Sequence, residues 1–273
     1  LGTMLCVLFG AFSDVLVIYM LDAPTATLWA HQGITVKALA GDAILFAAPI
    51  LATIPYAGAF VDDVKSGYLK QFLPRTTVSR YILGKEFACA ISGFLTLALG
   101  ILAGHIIVTL AVIPVETFSG KPVESQLGKL IGMMCLYGLA GSLFAMLGML
   151  LSTVTMNNYM AYAAPFILYY VLIILQERYA RDIFMLNPQN YMTLNGKWPF
   201  GGWSAAITIM VLLAGAMLGF YVIAQDHLRD DNARKSIRTL LPQRRIVLDR
   251  PFHPAKAQGI FREIRQIGSV VRY

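Results

Sequence analysis

Long apolar runs separated by short polar stretches fill the first 225 residues of the chain. About 20 predominantly apolar residues carry a helix across a bilayer. On that measure the runs at 1–21, 38–61, 87–113, 130–154, 159–175 and 203–224 predict six transmembrane helices. Ser13 and Asp14 interrupt the first, Asp42 lies near the start of the second, and His105 lies in the third. Pro49, Pro55 and Pro165 predict kinks, which neighbouring helices tolerate by satisfying the freed carbonyls. The connections at 22–37, 62–86, 114–129, 155–158 and 176–202 read as loops, with Trp29 in the first as an interfacial anchor. After residue 225 no apolar run remains, leaving a tail broken by Pro242, Pro251 and Pro254.

Composition supports the pattern. With 57% hydrophobic and 14% charged residues, a soluble domain could not bury its apolar side chains. The expected class is therefore an all-α polytopic integral membrane protein. Its formal charge of +7 points to anionic membrane lipids or an acidic partner and not to nucleic acid. Six crossings put both ends on one side. That side carries 16 Lys and Arg, 11 of them in the tail, against 6 in the opposite loops, so both ends and the 62–86 loop are expected to be cytoplasmic in the cell membrane. No cleavable signal peptide is expected, since the chain opens in an apolar run without a basic stretch before it. Cys6, Cys89 and Cys135 all lie in apolar runs and form no disulfide framework or CxxC motif.

The long polar break in the first two-thirds of the chain, DDVKSGYLKQFLPRTTVSRYILGKE at 62–86, carries Lys65, Lys70, Arg75, Arg80 and Lys85. Within it, Tyr68, Leu69, Phe72 and Leu73 share one side of a short helix that Pro74 stops, with Lys65, Lys70 and Gln71 on the other. Two readings fit: a helix lying in the headgroup layer, or a docking element for a soluble partner. From Gly67 to Lys85 the order resembles the passage of type-2 permeases of ATP-binding cassette (ABC) transporters. Asp62 and Asp63, Lys65, Gly67, Leu69, Leu73, Val78-Ser79-Arg80, Leu83, Gly84 and Lys85 match it, as do Asn187-Pro188 and Tyr191 in the last connection. Two departures are Lys70, where members often carry glutamate, and the long basic tail.

The resemblance implies a coupling helix at about 64–74, contacting ABC ATPase subunits through Lys65, Gly67, Tyr68, Leu69, Phe72, Leu73 and Arg80. It implies a non-catalytic permease domain over 1–225 with a basic cytoplasmic tail at 226–273. A second copy or a related permease completes the dimer, and an amphipathic lipid, drug or peptide antibiotic is exported. ATP and Mg would sit on the partner subunit. This chain shows no GxxxxGK[ST] sequence, Ser/His/Asp set, paired carboxylates or HExxH, so no cofactor or metal is expected on it. The alternative is a non-transporting membrane scaffold or an intramembrane enzyme subunit.

Other features carry two readings each. Asp14, Asp42 and His105 are structural hydrogen-bonding groups or an ion relay. Tyr159, Tyr162, Phe166, Tyr169 and Tyr170 are helix packing, or a substrate path formed by the last four. Met133, Met134, Met146 and Met149 are expected as packing and not metal ligands, and Glu86 as a hydrogen-bonding residue. Gly100/Gly104, Gly141/Ala145 and Gly215/Gly219 are small-xxx-small pairs able to bring helices close. Ile260, Ile264, Ile267 and Val271 in the tail share one helical face, with Arg262 and Arg265 opposite, fitting anionic lipid or a second protein contact.

Overall fold

Apolar runs without interior charge can satisfy their backbone in hydrocarbon only as helices, and every regular element among the described residues is helical. The computed structural model describes residues 1–20, 29–69, 76–116, 125–193, 198 and 202–248. The helices are α1 (Gly2–Met20), α2 (Ala30–Leu39), α3 (Asp42–Thr53), α4 (Ala59–Ser66), α5 (Val78–Val112), α6 (Leu127–Thr155), α7 (Asn158–Tyr179), α8 (Pro188–Thr193) and α9 (Gly202–Leu248).

Four stretches are long and apolar enough to cross a membrane: Val78–Val112, Leu127–Thr155, Asn158–Tyr179 and Trp203–Arg229. The pair α2 and α3, bent by 65°, makes a fifth if counted as one span. The protein is thus membrane-embedded and multi-pass, but with four to five candidate crossings among the described residues where six were expected. The apolar part of α1, Gly2–Leu16, is too short to count.

The expected second span at 38–61 is replaced by three helices. Gly41, extended at φ −77° and ψ 154°, ends the α2 direction and starts α3. Pro49 is absorbed within α3, whereas Pro55 lacks the N–H to continue it and the helix stops at Thr53. The loop expected at 22–37 yields α2, whose His31, Gln32, Ile34, Thr35 and Val36 are buried. Likewise, the 62–86 break is helical at both ends, since α5 begins at Val78.

The centre of the bundle is the crossing of α5 and α6. A Cβ on Gly93 would lie 2.5 Å from the Gly141 carbonyl oxygen and 2.7 Å from the Ala145 Cβ, and one on Gly141 would lie 2.5 Å from the Gly93 carbonyl oxygen. Without side chains there, the two backbones touch. Further along α5, Gly100 and Gly104 receive α1: added Cβ atoms would lie 1.4 Å from Thr3 Oγ1 and 2.8 Å from Val7 Cβ. Thr3 also donates to the Thr96 carbonyl at 3.1 Å. Two of the three expected small-residue pairs therefore hold helices together, but Gly215 has nothing within 4 Å and Gly219 only ordinary contact with Leu150.

Around this crossing Val7, Leu39, Ile44, Leu97, Ile101, Met133, Tyr137 and Tyr169 form the core. Met146 and Met149 are likewise fully buried. Tyr137 donates its hydroxyl to the Leu39 carbonyl, tying α6 to the end of α2. The chain divides into Leu1–Gln225 and Asp226–Tyr273. The described part of the second unit is the helical continuation to Leu248, and the amphipathic end with Ile260 to Val271 lies outside the described residues.

Gly93→Val and Gly141→Val are each expected to destabilise the protein by about 1–3 kcal/mol through overpacking. Gly215→Val should leave the thermal unfolding midpoint in detergent unchanged, and an equal fall for all three would remove the crossing from its central place.

Candidate functional site

The short helix α4 buries Phe60 and Val61 completely, with the Phe60 ring edge-on to Phe220 at 5.3 Å. Its next two residues are both aspartate. Adjacent positions on a helix point about 100° apart, so the two carboxylates reach different neighbours. Asp62 accepts a hydrogen bond from the Asn158 amide at the start of α7. Asp63 meets Lys85 at 2.7 Å and accepts from the Tyr81 hydroxyl at 2.5 Å. Tyr81 and Lys85 are four residues apart and so share one face of α5. The Lys85 ammonium lies 5.1 Å from the Tyr56 ring centre and 5.9 Å from that of Tyr81. On the third side, Gly148 of α6 admits Ala57, whose carbonyl accepts from Ser152 at 3.3 Å. The α4 segment is thus held by four long helices, α5, α6, α7 and α9.

Gly67 then ends α4 in the left-handed conformation, φ 75°, with its N–H on the Val64 carbonyl at 3.3 Å. The expected helix at about 64–74 is therefore interrupted at Gly67, because only glycine takes that backbone without strain. Tyr68 and Leu69 are helical again. Lys65 and Arg80 are exposed and Tyr68 is 46% exposed, but Leu69 is 5% exposed and packs inward. Leu69 is a correction to the expected docking face: its side chain belongs to the fold. Phe72 and Leu73 lie outside the described residues.

Of the aromatic path residues, Phe166 and Tyr170 gather on Phe46 of α3, with ring centres 5.3 and 5.8 Å away. Tyr169 stacks edge-on to Phe144 at 5.7 Å, so these three join α7 to α3 and α6. Tyr162 stands apart, its hydroxyl 3.4 Å from where a Gly58 Cβ would be. Glu86, expected as a hydrogen-bonding residue, is buried, and its Oε1 has no hydrogen-bond partner among the described residues.

A second polar cluster lies at the far end of α5. Lys85 and His105 are about 30 Å apart along that helix at about 1.5 Å per residue, matching the hydrocarbon thickness of about 30 Å. Glu116 caps the start of α2. Its Oε1 accepts from the His31 N–H at 3.0 Å and meets the His31 ring at 2.7 Å, while Oε2 accepts from the Trp29 N–H at 3.3 Å. To offer that N–H, Trp29 takes a left-handed φ of 70°. Burial alone would push the Glu116 carboxyl up, but the His31 backbone and ring and the Trp29 N–H outweigh it and hold it below the usual carboxylate range. His105 joins the cluster through Thr35 at 2.9 Å, its ring 5.8 Å from that of His31. Nearby, Asp14 pairs with Lys37 at 2.7 Å. Among the described residues no group of three His, Cys, Asp or Glu is placed to hold a metal ion.

Tyr81, Asn158 and the His31–Glu116 pair escaped the sequence reading, since their partners lie 18 to 96 positions away. Only the spacing of Tyr81 and Lys85 could have pointed to a shared partner, and only with the start of α5 known. No protein-family model matches this chain, and no curated protein matches it.

Asp63→Asn should lower stability by about 1–3 kcal/mol by leaving the Lys85 ammonium without its charge partner, and adding Lys85→Met should restore part of it. Paired thermal midpoints in detergent check this double-mutant cycle. For Glu116 the folded value lies below the ordinary one. Its contribution is therefore present above an ordinary carboxylate pKa of about 4.3 and lost as pH falls through the depressed folded value. Thermal melts at stepped pH should show a decline on acidification that is smaller in Glu116→Ala.

Proposed function

We propose that this chain is the permease subunit of a type-2 ABC exporter, working as a dimer of two copies or with a related permease. In this reading two separate ABC ATPase subunits bind ATP and Mg and supply the work, and an amphipathic substrate is exported. The α4 end of the bundle and both chain ends then face the cytoplasm of a cell membrane. This reading counts α1 and the bent α2–α3 pair as the fifth and sixth crossings.

One observation carries the reading: α4 is a small element at the bundle end whose adjacent aspartates grip two different long helices. Force delivered to the exposed Lys65, Tyr68 and Arg80 would pass through Asp63 to α5 and through Asp62 to α7. A passive connection needs no such double attachment, whereas a part that moves two helices together does. The resemblance of 67–85 to type-2 permeases supports the same assignment, as does the basic character of this end, with Lys65, Arg80 and Lys85.

The test is copurification. Affinity-tagged protein from its native membranes should bring down an ABC ATPase identifiable by mass spectrometry. Lys65→Glu with Tyr68→Asp, both at exposed positions, should cut the recovered ATPase about ten-fold without changing the gel-filtration profile. An ATPase retained in full by that variant, or none with the unaltered chain, sinks the assignment.

A further inference from the structure

A cavity of about 440 Å³ opens between α4 and the first turns of α5, walled by Tyr56, Asp63, Thr76, Arg80, Gly84 and Lys85 among others. That volume falls in the range of small-ligand sites, about 300–1,000 Å³. Its charges do not cancel. Asp63 and Lys85 neutralise each other at 2.7 Å, with the Tyr81 hydroxyl also on Asp63. Arg80 is left as a cation with which no carboxylate among the described residues pairs. Thr76, a residue with a hydroxyl donor, lines the same wall. The first turn of α5 borders the cavity, and its N-cap Thr77 makes no side-chain cap, so the positive end of a 35-residue helix adds to the field.

Depth and shape narrow the ligand. Lys85 stands where the apolar part of α5 begins, and Arg80 lies about 7 Å further out at about 1.5 Å per residue. That is headgroup level, where tyrosine rings and basic side chains meet phosphate. Gly84 leaves the wall open, since a Cβ there would meet nothing within 4 Å among the described residues.

We infer that this cavity is a binding site for a phosphate ester, held by the Arg80 guanidinium and the Thr76 hydroxyl with the Asp63–Lys85 pair as its floor. An anionic phospholipid headgroup and a soluble phosphate share that chemistry. The guanidinium fork suits the planar presentation of two phosphate oxygens. Such a cavity would hold its anion whether or not an ATPase docks beside it.

Delipidated protein in detergent, titrated with phosphatidylglycerol and read by native mass spectrometry, tests the site. Phosphatidylglycerol should bind saturably and more tightly than phosphatidylcholine, and Arg80→Gln should weaken it about five-fold. Gly84→Phe, which fills the cavity without altering any charge, should weaken it at least as much. Arg178→Gln, on an exposed arginine at the other end of α7, serves as the surface-charge control and should change nothing. Inorganic phosphate that competes with the lipid would support the site and extend it to soluble phosphates, whereas phosphate without effect would support it as a lipid site. Binding equal in wild type, Arg80→Gln and Gly84→Phe overturns the inference. So does a purified protein that takes neither probe, as expected if an acidic protein segment fills the cavity.

Discussion

Backbone-to-backbone contact between α5 and α6 at Gly93 and Gly141 is the constraint on which the rest of the bundle depends. In hydrocarbon, helices gain little by hiding apolar surface from one another, so association rests on close packing and polar contacts. The two glycines permit an approach that any side chain would block. Other glycines on the same two helices receive further elements: Gly100 and Gly104 take α1, and Gly148 takes the Ala161 backbone of α7 and the turn before α4. The result shows in burial. In α6, 67% of the most apolar window is buried, against 33% or less in the other three long helices.

Polar contacts then fix what packing alone would leave free to slide. At one end, Asp62 and Asp63 fasten α4; at the other, Glu116 fastens α2. Both arrangements place carboxylates against donors from distant parts of the chain. Both lie at the ends of the roughly 30 Å apolar stretch of α5. Glu86 is the exception, a buried carboxylate with one oxygen that has no hydrogen-bond partner among the described residues, one position beyond the paired Lys85.

The long helices were legible from hydrophobic runs because length and apolarity alone decide them. α6 and α7 lie within a few residues of expectation. What the runs could not reveal was direction. A continuous apolar stretch at 38–61 looks like one crossing, yet an extended Gly41 and a proline at 55 divide it, and the bend is a property of two or three residues. α2 was invisible for the opposite reason. Its His31, Gln32, Thr35 and Lys37 read as loop, and the burial of His31 and Thr35 goes with their bonds to Glu116 and His105. Small-residue pairs were legible as candidates only. Gly141 needed Gly93 opposite it, whereas Gly215 has no neighbour in reach, and no local pattern distinguishes the two. At the candidate site, the charged and aromatic residue types were apparent, but the inward turn of Leu69 follows from the left-handed Gly67 just before it.

The adjacency of Asp62 and Asp63 has a mechanical meaning. Two grips set about a quarter-turn apart on the same short cylinder oppose rolling, since any spin that slackens one attachment strains the other. α4 is therefore locked against spin, with its two bearings on separate long helices.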